Sequence, residues 1–207
     1  MTPPKPNYQR EMEALLHAHP RGDAHVLLHA CCAPCSSAVL ERLVPEAEVT
    51  IYFYDPNILP EEEYRFRLQE LRRLLGEMPL PRKVELIEGP YEPERFLAFA
   101  RELADEPERG ERCRRCIRLR LEETARVAYD MHCDYFATTL TVSPHKDAAF
   151  INEAGYAIAQ EAGVPWLPSD FKKKDGYKRS IALSAEYCLY RQNYCGCPFS
   201  IPSEKKD

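Results

Sequence analysis

Two hydrophobic rhythms alternate along this chain. Short apolar-rich segments occupy 25–30, 49–54, 83–87, 134–140 and 164–167, with 49–54 continuous. Runs of this length, rich in Val, Ile, Tyr and Phe, predict strands covered on both faces. Between them, apolar residues recur every three or four positions, which predicts helices. These helices are expected over 8–19, 36–44, 60–76, 93–103, 113–131, 146–162 and 177–192. Turn chemistry separates the segments: Pro20-Arg21-Gly22-Asp23, Pro45, Asp55-Pro56-Asn57, Gly89-Pro90, Pro107, Gly110 and Gly163. Five strands separated by helices predict an α/β fold, doubly wound, with a mostly five-stranded parallel sheet and helices on both faces, Rossmann-like. Residues 1–207 are expected to form one domain, with 1–24 as an N-terminal helical extension and 198–207 as a C-terminal tail. In such sheets ligands collect at the carboxyl ends of the strands. The loops expected there are 31–37, 55–60, 89–93, 138–147 and 168–177.

Composition narrows the class. Apolar residues make up 44% of the 207 positions and charged residues 29%, which argues for a packed core. The net charge of −5 argues against indiscriminate nucleic-acid binding while leaving room for a local basic patch. No apolar run approaches the roughly 20 residues that span a membrane, and no secretory h-region is visible near the start, so a cytoplasmic protein without membrane association is expected. In a reducing compartment the nine cysteines point to metal or redox chemistry rather than disulfides.

Seven of those cysteines fall into three groups. Cys31, Cys32 and Cys35 lie in the turn between the first expected strand and the next helix. Cys113 and Cys116 open a helix, where spacing i, i+3 brings their Cβ atoms to about 5–6 Å. Cys195 and Cys197 flank Gly196, which permits a tight turn. A lone CxxC has a structural reading and a redox reading, but three groups in one chain favour a metal site. A structural zinc takes four ligands and so does a 4Fe-4S cluster. Seven sulfurs exceed either need, so some are spare or two centres exist. Adjacent Cys31 and Cys32 are not expected to face one small ion together, which suggests that they bridge two centres. Cys133 before a strand and Cys188 within the last helix read as small apolar packing residues.

The motifs His29-Ala30-Cys31-Cys32-Ala33-Pro34, Phe53-Tyr54-Asp55-Pro56-Asn57-Ile58, Glu61-Glu62-Glu63-Tyr64, Asp105-Glu106-Pro107-Glu108-Arg109-Gly110 and Cys113-Arg114-Arg115-Cys116 closely resemble those of the QueH epoxyqueuosine reductases. So do Thr138-Thr139-Leu140-Thr141-Val142-Ser143-Pro144-His145-Lys146, Asp170-Phe171-Lys172-Lys173-Lys174-Asp175-Gly176-Tyr177 and Leu189-Tyr190-Arg191-Gln192-Asn193-Tyr194-Cys195-Gly196-Cys197, and the resemblance spans about 25–200. It implies an adenine-nucleotide alpha-hydrolase-like (HUP) fold, a 4Fe-4S cluster beside a mononuclear iron, and no cobalamin. It implies reduction of the epoxide of epoxyqueuosine at the tRNA wobble position to queuosine, the last step of queuosine biosynthesis, in tRNAs with GUN anticodons. The metal-ligand motifs carry over to Cys31, Cys32, Cys113, Cys116, Cys195 and Cys197. Cys35 joins them as a ligand at a position where some family members carry Asp.

Removing an epoxide oxygen requires two electrons and two protons, so an external low-potential electron donor is expected. Asp55, His145 and Tyr177 are candidate proton donors on strand-end loops, although Asp55 also reads as a turn cap and His145 as a solvated loop residue. Arg109, Arg112, Arg114, Arg115, Arg118 and Arg120 form one basic run. Lys172, Lys173, Lys174, Lys178, Arg179 and Arg191 form another. Both flank sulfur groups and are candidate RNA contacts, with a solvated face as the alternative. Trp166, Tyr177, Tyr190 and Tyr194 are candidates for stacking on a flipped base, with core packing as the alternative. Two other functions fit the motifs: an iron–sulfur tRNA-thiolating PP-loop-like enzyme, and a non-enzymatic zinc-binding tRNA adaptor. PP-loop relatives carry a Ser-Gly-Gly-x-Asp-Ser turn for pyrophosphate where this chain carries Cys-Cys-Ala-Pro. Without those glycines the backbone does not approach phosphates closely, so no ATP use is expected. Isothermal titration is therefore expected to show no micromolar, Mg-dependent ATP binding.

Overall fold

A computed structural model describes residues 6–19 and 24–201 of the chain. The expected turn at 20–23 and the tail beyond 201 lie outside the described residues. The first half runs α1 (Tyr8–His17), β1 (His25–His29), α2 (Ala33–Leu43), β2 (Glu48–Phe53), α3 (Glu61–Glu77), β3 (Glu85–Glu88) and α4 (Pro93–Ala100). The second runs α5 (Glu111–Asp130), β4 (Tyr135–Thr138), α6 (Ala148–Ala162) and α7 (Gly176–Glu186), with 3₁₀ turns at Thr139–Val142 and Pro198–Ser200. The four strands lie in the order β3-β2-β1-β4 and every pair is parallel, with Val26 opposite both Val49 and Tyr135. None of the helices among the described residues is long and apolar enough to cross a membrane.

Strand geometry explains why apolar residues stand side by side in these segments. Successive side chains point to opposite faces, and here both faces are covered. Val26, Leu28, Val49, Ile51, Phe53 and Ala137 enter one core, shared with α2 and α3. Leu27, Tyr52, Tyr54 and Phe136 enter the other, shared with α5 and α6. Fully burying each Leu, Ile, Val or Phe stabilises the fold by about 1.5–3 kcal/mol before entropy is charged against it. From β1 the chain steps outward through β2 to β3, then returns to place β4 on the other side of β1. The order reverses between β1 and β4, so the crevice at their carboxyl ends is the expected ligand position.

The sheet has four strands rather than the expected five. Residues 164–167 do lie alongside β4, but only as a single parallel bridge between Phe136 and Trp166. Phe136 N–H donates to the Pro165 carbonyl at 3.0 Å and Leu167 N–H to the Phe136 carbonyl at 2.9 Å. There the ladder stops, because the Ser169 N–H goes to the Asn152 side chain at 2.9 Å instead of to β4. Asn152 is wholly buried on α6 and also bonds the Trp166 indole, the Ser169 carbonyl and the Ala148 carbonyl. One amide thus replaces a strand's worth of pairing and turns the chain off the sheet.

The last helix also departs from expectation. It ends at Glu186 rather than near 192, because Cys188 takes the left-handed conformation (φ 48) usual at a helix C-terminus. Cys188 is exposed beyond the helix and does not pack in a core. Cys133 is buried in the α5–α6 core. The early stop frees 189–197 to run back towards the end of β1.

Asn152→Ala strands three buried polar groups, the Trp166 indole N–H and both backbone groups of Ser169. It is expected to destabilise the fold by about 2–4 kcal/mol, measured by urea unfolding followed through the fluorescence of Trp166, the sole tryptophan.

Candidate metal centre

β1 delivers the chain to a bend at Cys31, and Cys32 then caps α2 in an extended conformation with Pro34 in the first turn. The bend overrides the alternation that would send neighbouring side chains apart. The Cys31 and Cys32 sulfurs lie 3.8 Å from each other, and those of Cys31, Cys32 and Cys35 all lie within 4.8 Å of one another. Four sulfurs placed tetrahedrally about 2.3 Å from one ion are about 3.8 Å apart. The adjacent cysteines therefore face one point together, contrary to the expectation that they diverge towards two centres.

Three of the other cysteines form a second group, and Cys113 lines a side pocket one turn before Cys116. Cys116 and Cys197 are buried in a small cluster with Phe96, against which Cys195 packs. Gly196 adopts φ 99, and a Cβ there would lie 2.6 Å from Ile58 Cγ1, so only glycine fits between the two sulfurs. A cavity of about 340 Å³ opens between the two groups, walled by Cys31, Cys35 and Cys195 together with Arg67, Arg120, Lys146 and Arg191.

Crowded thiols in a dry site do not all ionise freely. Hydrogen bonds from Cys31 and Cys35 hold Cys32 well below the ordinary thiol value, while bonding to Cys32 and Cys35 pushes Cys31 well above it. A hydrogen bond with Cys197 similarly lowers Cys195. Burial pushes Cys116 up to about 11. Cys32 and Cys195 are thus favoured thiolates beside the reluctant Cys31, Cys35, Cys116 and Cys197, and a bound cation is what lets those deprotonate.

Buried cations stand ready for that negative charge. Arg67 is 1% exposed, bonded to Glu63 at 2.7–2.8 Å, and its Nη1 has no partner. Arg120 is 5% exposed; its Nη1 donates to Asp55 at 2.9 Å and its Nε to the Cys116 carbonyl at 3.2 Å. An orphaned buried guanidinium N–H beside clustered thiols suits a site that becomes strongly anionic when metallated. Soft thiolate donors suit iron or zinc. The residues present therefore fit a thiolate-held metal.

The expected proton donors scatter. Asp55 is completely buried, ion-paired with Arg120 and 3.5 Å from His29 Nε2, and is not part of the cavity wall. His145 and Tyr177 are both on the wall. Of the expected RNA contacts, Arg191 is on the wall and bonds Ser184. Arg114 lies over the Phe150 ring, beside a side pocket that reaches Cys113. Arg115 pairs with Glu111, Arg118 with Glu122, Lys172 with Asp170, Lys174 with Glu13 and Arg179 with Glu41, while Lys173 is simply exposed. Arg112 and Arg120 are buried and offer no surface to RNA. Among the aromatic candidates, Trp166 belongs to the core, Tyr190 stacks edge-on against Phe66 at the surface, and Tyr177 and Tyr194 line the cavity. Lys146 and Arg67 on the wall went unnoticed as site residues. Lys146 closes the Ser143-Pro144-His145-Lys146 turn, the one signal that marks it. Arg67, midway along a charged helix, carries none.

Fold and site together define a doubly wound α/β protein with a cluster of three cysteines, suited to holding a metal, at its switch point. Residues 26–203 match the family model described as Epoxyqueuosine reductase QueH. The curated relative from Streptococcus pyogenes serotype M1 is 40% identical, with 98% of this chain and 81% of that protein aligned. That from Staphylococcus epidermidis is 40% identical over 98% and 88% of the two chains, and that from Thermotoga maritima 35% over 85% and 90%. All three are named Epoxyqueuosine reductase QueH. The chain belongs to the QueH epoxyqueuosine reductase family.

The Asp55–Arg120 pair yields a stability prediction. Burial alone would raise the Asp55 carboxyl, but His29 and Arg120 outweigh it and hold it below its ordinary value. A carboxyl lowered in the folded state contributes stability above its unfolded value of about 3.9 and loses it as pH falls through the folded value. Asp55→Ala is expected to cost the metal-free protein about 3–5 kcal/mol at pH 7, with a smaller loss on acidification below pH about 4 than in wild type, measured by urea unfolding across pH.

Proposed function

We propose that this protein reduces the epoxide of epoxyqueuosine in tRNA to the alkene of queuosine, using a 4Fe-4S cluster and a mononuclear iron. The observation that carries this reading is a tight group of three cysteines, Cys31, Cys32 and Cys35, facing one cavity whose wall also carries Cys195 from the second set. Three sulfurs within 4.8 Å suit one ion with a coordination position left open. Four sulfurs in the wider group suit a cubane cluster, whose corners hold each thiolate further from the next. Cys31, Cys32 and Cys35 are thereby assigned to the single iron, and Cys113, Cys116, Cys195 and Cys197 to the cluster. When bound, these metals would supply electrons one at a time and a Lewis acid for the epoxide oxygen.

The chain's own residues bind and orient the substrate and manage protons. The cavity is large enough for a modified base side chain and is entered past Tyr177, His145 and Tyr194. Tyr194 is held from behind by Arg67, whose guanidinium lies 5.2 Å from its ring centroid, which presents the ring as a stacking surface. Lys146 and Arg191 on the wall form no ion pair among the described residues and suit phosphate oxygens of the tRNA. Water is released once the oxygen has gained two protons, for which His145, Tyr177 and Lys146 on the wall are the candidates. The two electrons come from an external low-potential donor.

The test is anaerobic reconstitution with iron and sulfide, then incubation with epoxyqueuosine-containing tRNA and a low-potential reductant. Mass spectrometry is expected to show loss of one oxygen from the modified nucleoside. Cys35→Ser is expected to keep the cluster absorbance, lose the additional iron and lower turnover at least about 100-fold, as losing a Lewis acid worth several kcal/mol implies. A protein that stays colourless on reconstitution and holds only zinc would overturn the reading.

A further inference from the structure

One guanidinium borders the cavity that both sulfur groups reach. Arg120 projects from α5 at 5% exposure and is tied by its Nε to the Cys116 carbonyl at 3.2 Å and by its Nη1 to Asp55 Oδ1 at 2.9 Å. It shares the cavity wall with Cys31, Cys35 and Cys195. Asp55 is itself fully buried and lies 3.5 Å from His29 Nε2, so the carboxylate is fixed as firmly as the cation. His29 Nε2 also lies 3.2 Å from the Tyr54 carbonyl, and its Nδ1 lies 2.9 Å from Thr138 Oγ1. Two opposite charges are thus locked in a dry site beside the thiols, where charge acts over a longer range than in water. Arg67, also buried, is held by Glu63 and among the described residues has no bond to Cys113, Cys116, Cys195 or Cys197.

We propose that Arg120 and its counter-ion Asp55 are positioning residues that set the reduction potential of the cluster held by Cys113, Cys116, Cys195 and Cys197. The inference rests on the iron–sulfur reading given above. A reduced cluster carries one more negative charge than an oxidised one. A fixed guanidinium stabilises the reduced form and raises the potential, and a fixed carboxylate does the reverse. Asp55 also keeps Arg120 partnered before metal arrives. Once the thiolates are formed, Arg120 has anionic neighbours on both sides. The pair therefore serves folding in the empty protein and electron affinity in the loaded one.

The experiment compares anaerobically reconstituted wild type, Arg120→Gln, Arg120→Lys and Asp55→Asn. Iron and sulfide are assayed, and the midpoint potential is read by titration followed by electron paramagnetic resonance. Arg120→Gln is expected to load and to shift to lower potential, Asp55→Asn to shift to higher potential, and Arg120→Lys to stay near wild type. Opposite shifts from the two halves of one ion pair are not produced by loosened packing. Should Arg120→Gln fail to load, the upward shift of Asp55→Asn decides the matter alone. Unmoved potentials in loaded variants, shifts of the same sign, or loss of the cluster from the charge-retaining Arg120→Lys would overturn the inference while leaving the iron–sulfur reading intact. A wild type that takes up no cluster would remove that reading, and this inference with it.

Discussion

The bend at Cys31 is the constraint on which the rest depends. It turns two adjacent cysteines to one side and, with Cys35 one helical turn on, compresses three sulfurs into a space under 5 Å across. No water reaches Cys32, so negative charge gathered there must be met by protein or by metal. The buried arginines follow from this. A guanidinium in a core is costly unless it is paired; the two on the cavity wall each have a carboxylate behind them, Glu63 for Arg67 and Asp55 for Arg120.

The second sulfur group has to be brought to the first, and the chain distorts to do so. Helix α7 stops at Glu186 although its sequence continues with residues that tolerate a helix. The left-handed turn at Cys188 redirects 189–197 across the mouth of the crevice. The Leu59 N–H then bonds the Gly196 carbonyl at 3.0 Å, and Asn57 Nδ2 bonds the Cys195 carbonyl at 3.3 Å, stitching the CxC turn to the loop after β2. The loops after β1, β2 and β4 and the start of α5 all meet here. This convergence is what a switch point provides, since strands on either side of it deliver their following loops to one crevice.

The parts of this architecture set by local pattern were legible in the sequence. β1, β2 and β4 announce themselves by apolar-rich segments, α5 by its periodic face, α6 by Gly163 at its end, and the cysteine groups by spacing. The parts set by distant partners were not. The edge strand at 164–167 was lost to Asn152, whose amide competes for the Ser169 N–H from another element. Arg120 read as one more member of a basic surface run, because its counter-ion Asp55 lies 65 residues earlier in the chain. Arg67 was hidden likewise, since an i, i+4 Glu–Arg pair on a charged helix looks solvent-facing whether or not it is. The closure of Cys31, Cys32 and Cys35 into one tight group was not readable either, because spacing says which sulfurs are close along the chain and nothing about which way their side chains turn.

The four cations around the cavity divide by how they are neutralised. Arg67 and Arg120 have carboxylate partners and lie deep, so outside the cavity each is nearly a dipole whose field dies quickly. Lys146 and Arg191 have no such partner among the described residues and lie on the open wall, where Glu108 is the sole acid. A chain with net charge −5 repels an RNA at long range, but at physiological salt only charges within about 8 Å act strongly. At that range the mouth presents uncompensated positive charge and the rest of the surface mostly paired charge, as Arg115, Arg118, Lys174 and Arg179 show. The overall acidity then acts as a filter: a polyanion gains little by binding anywhere except where a backbone phosphate and the cavity are reached together. On the function proposed above, affinity for the tRNA and placement of its modified base would be set by the same few residues.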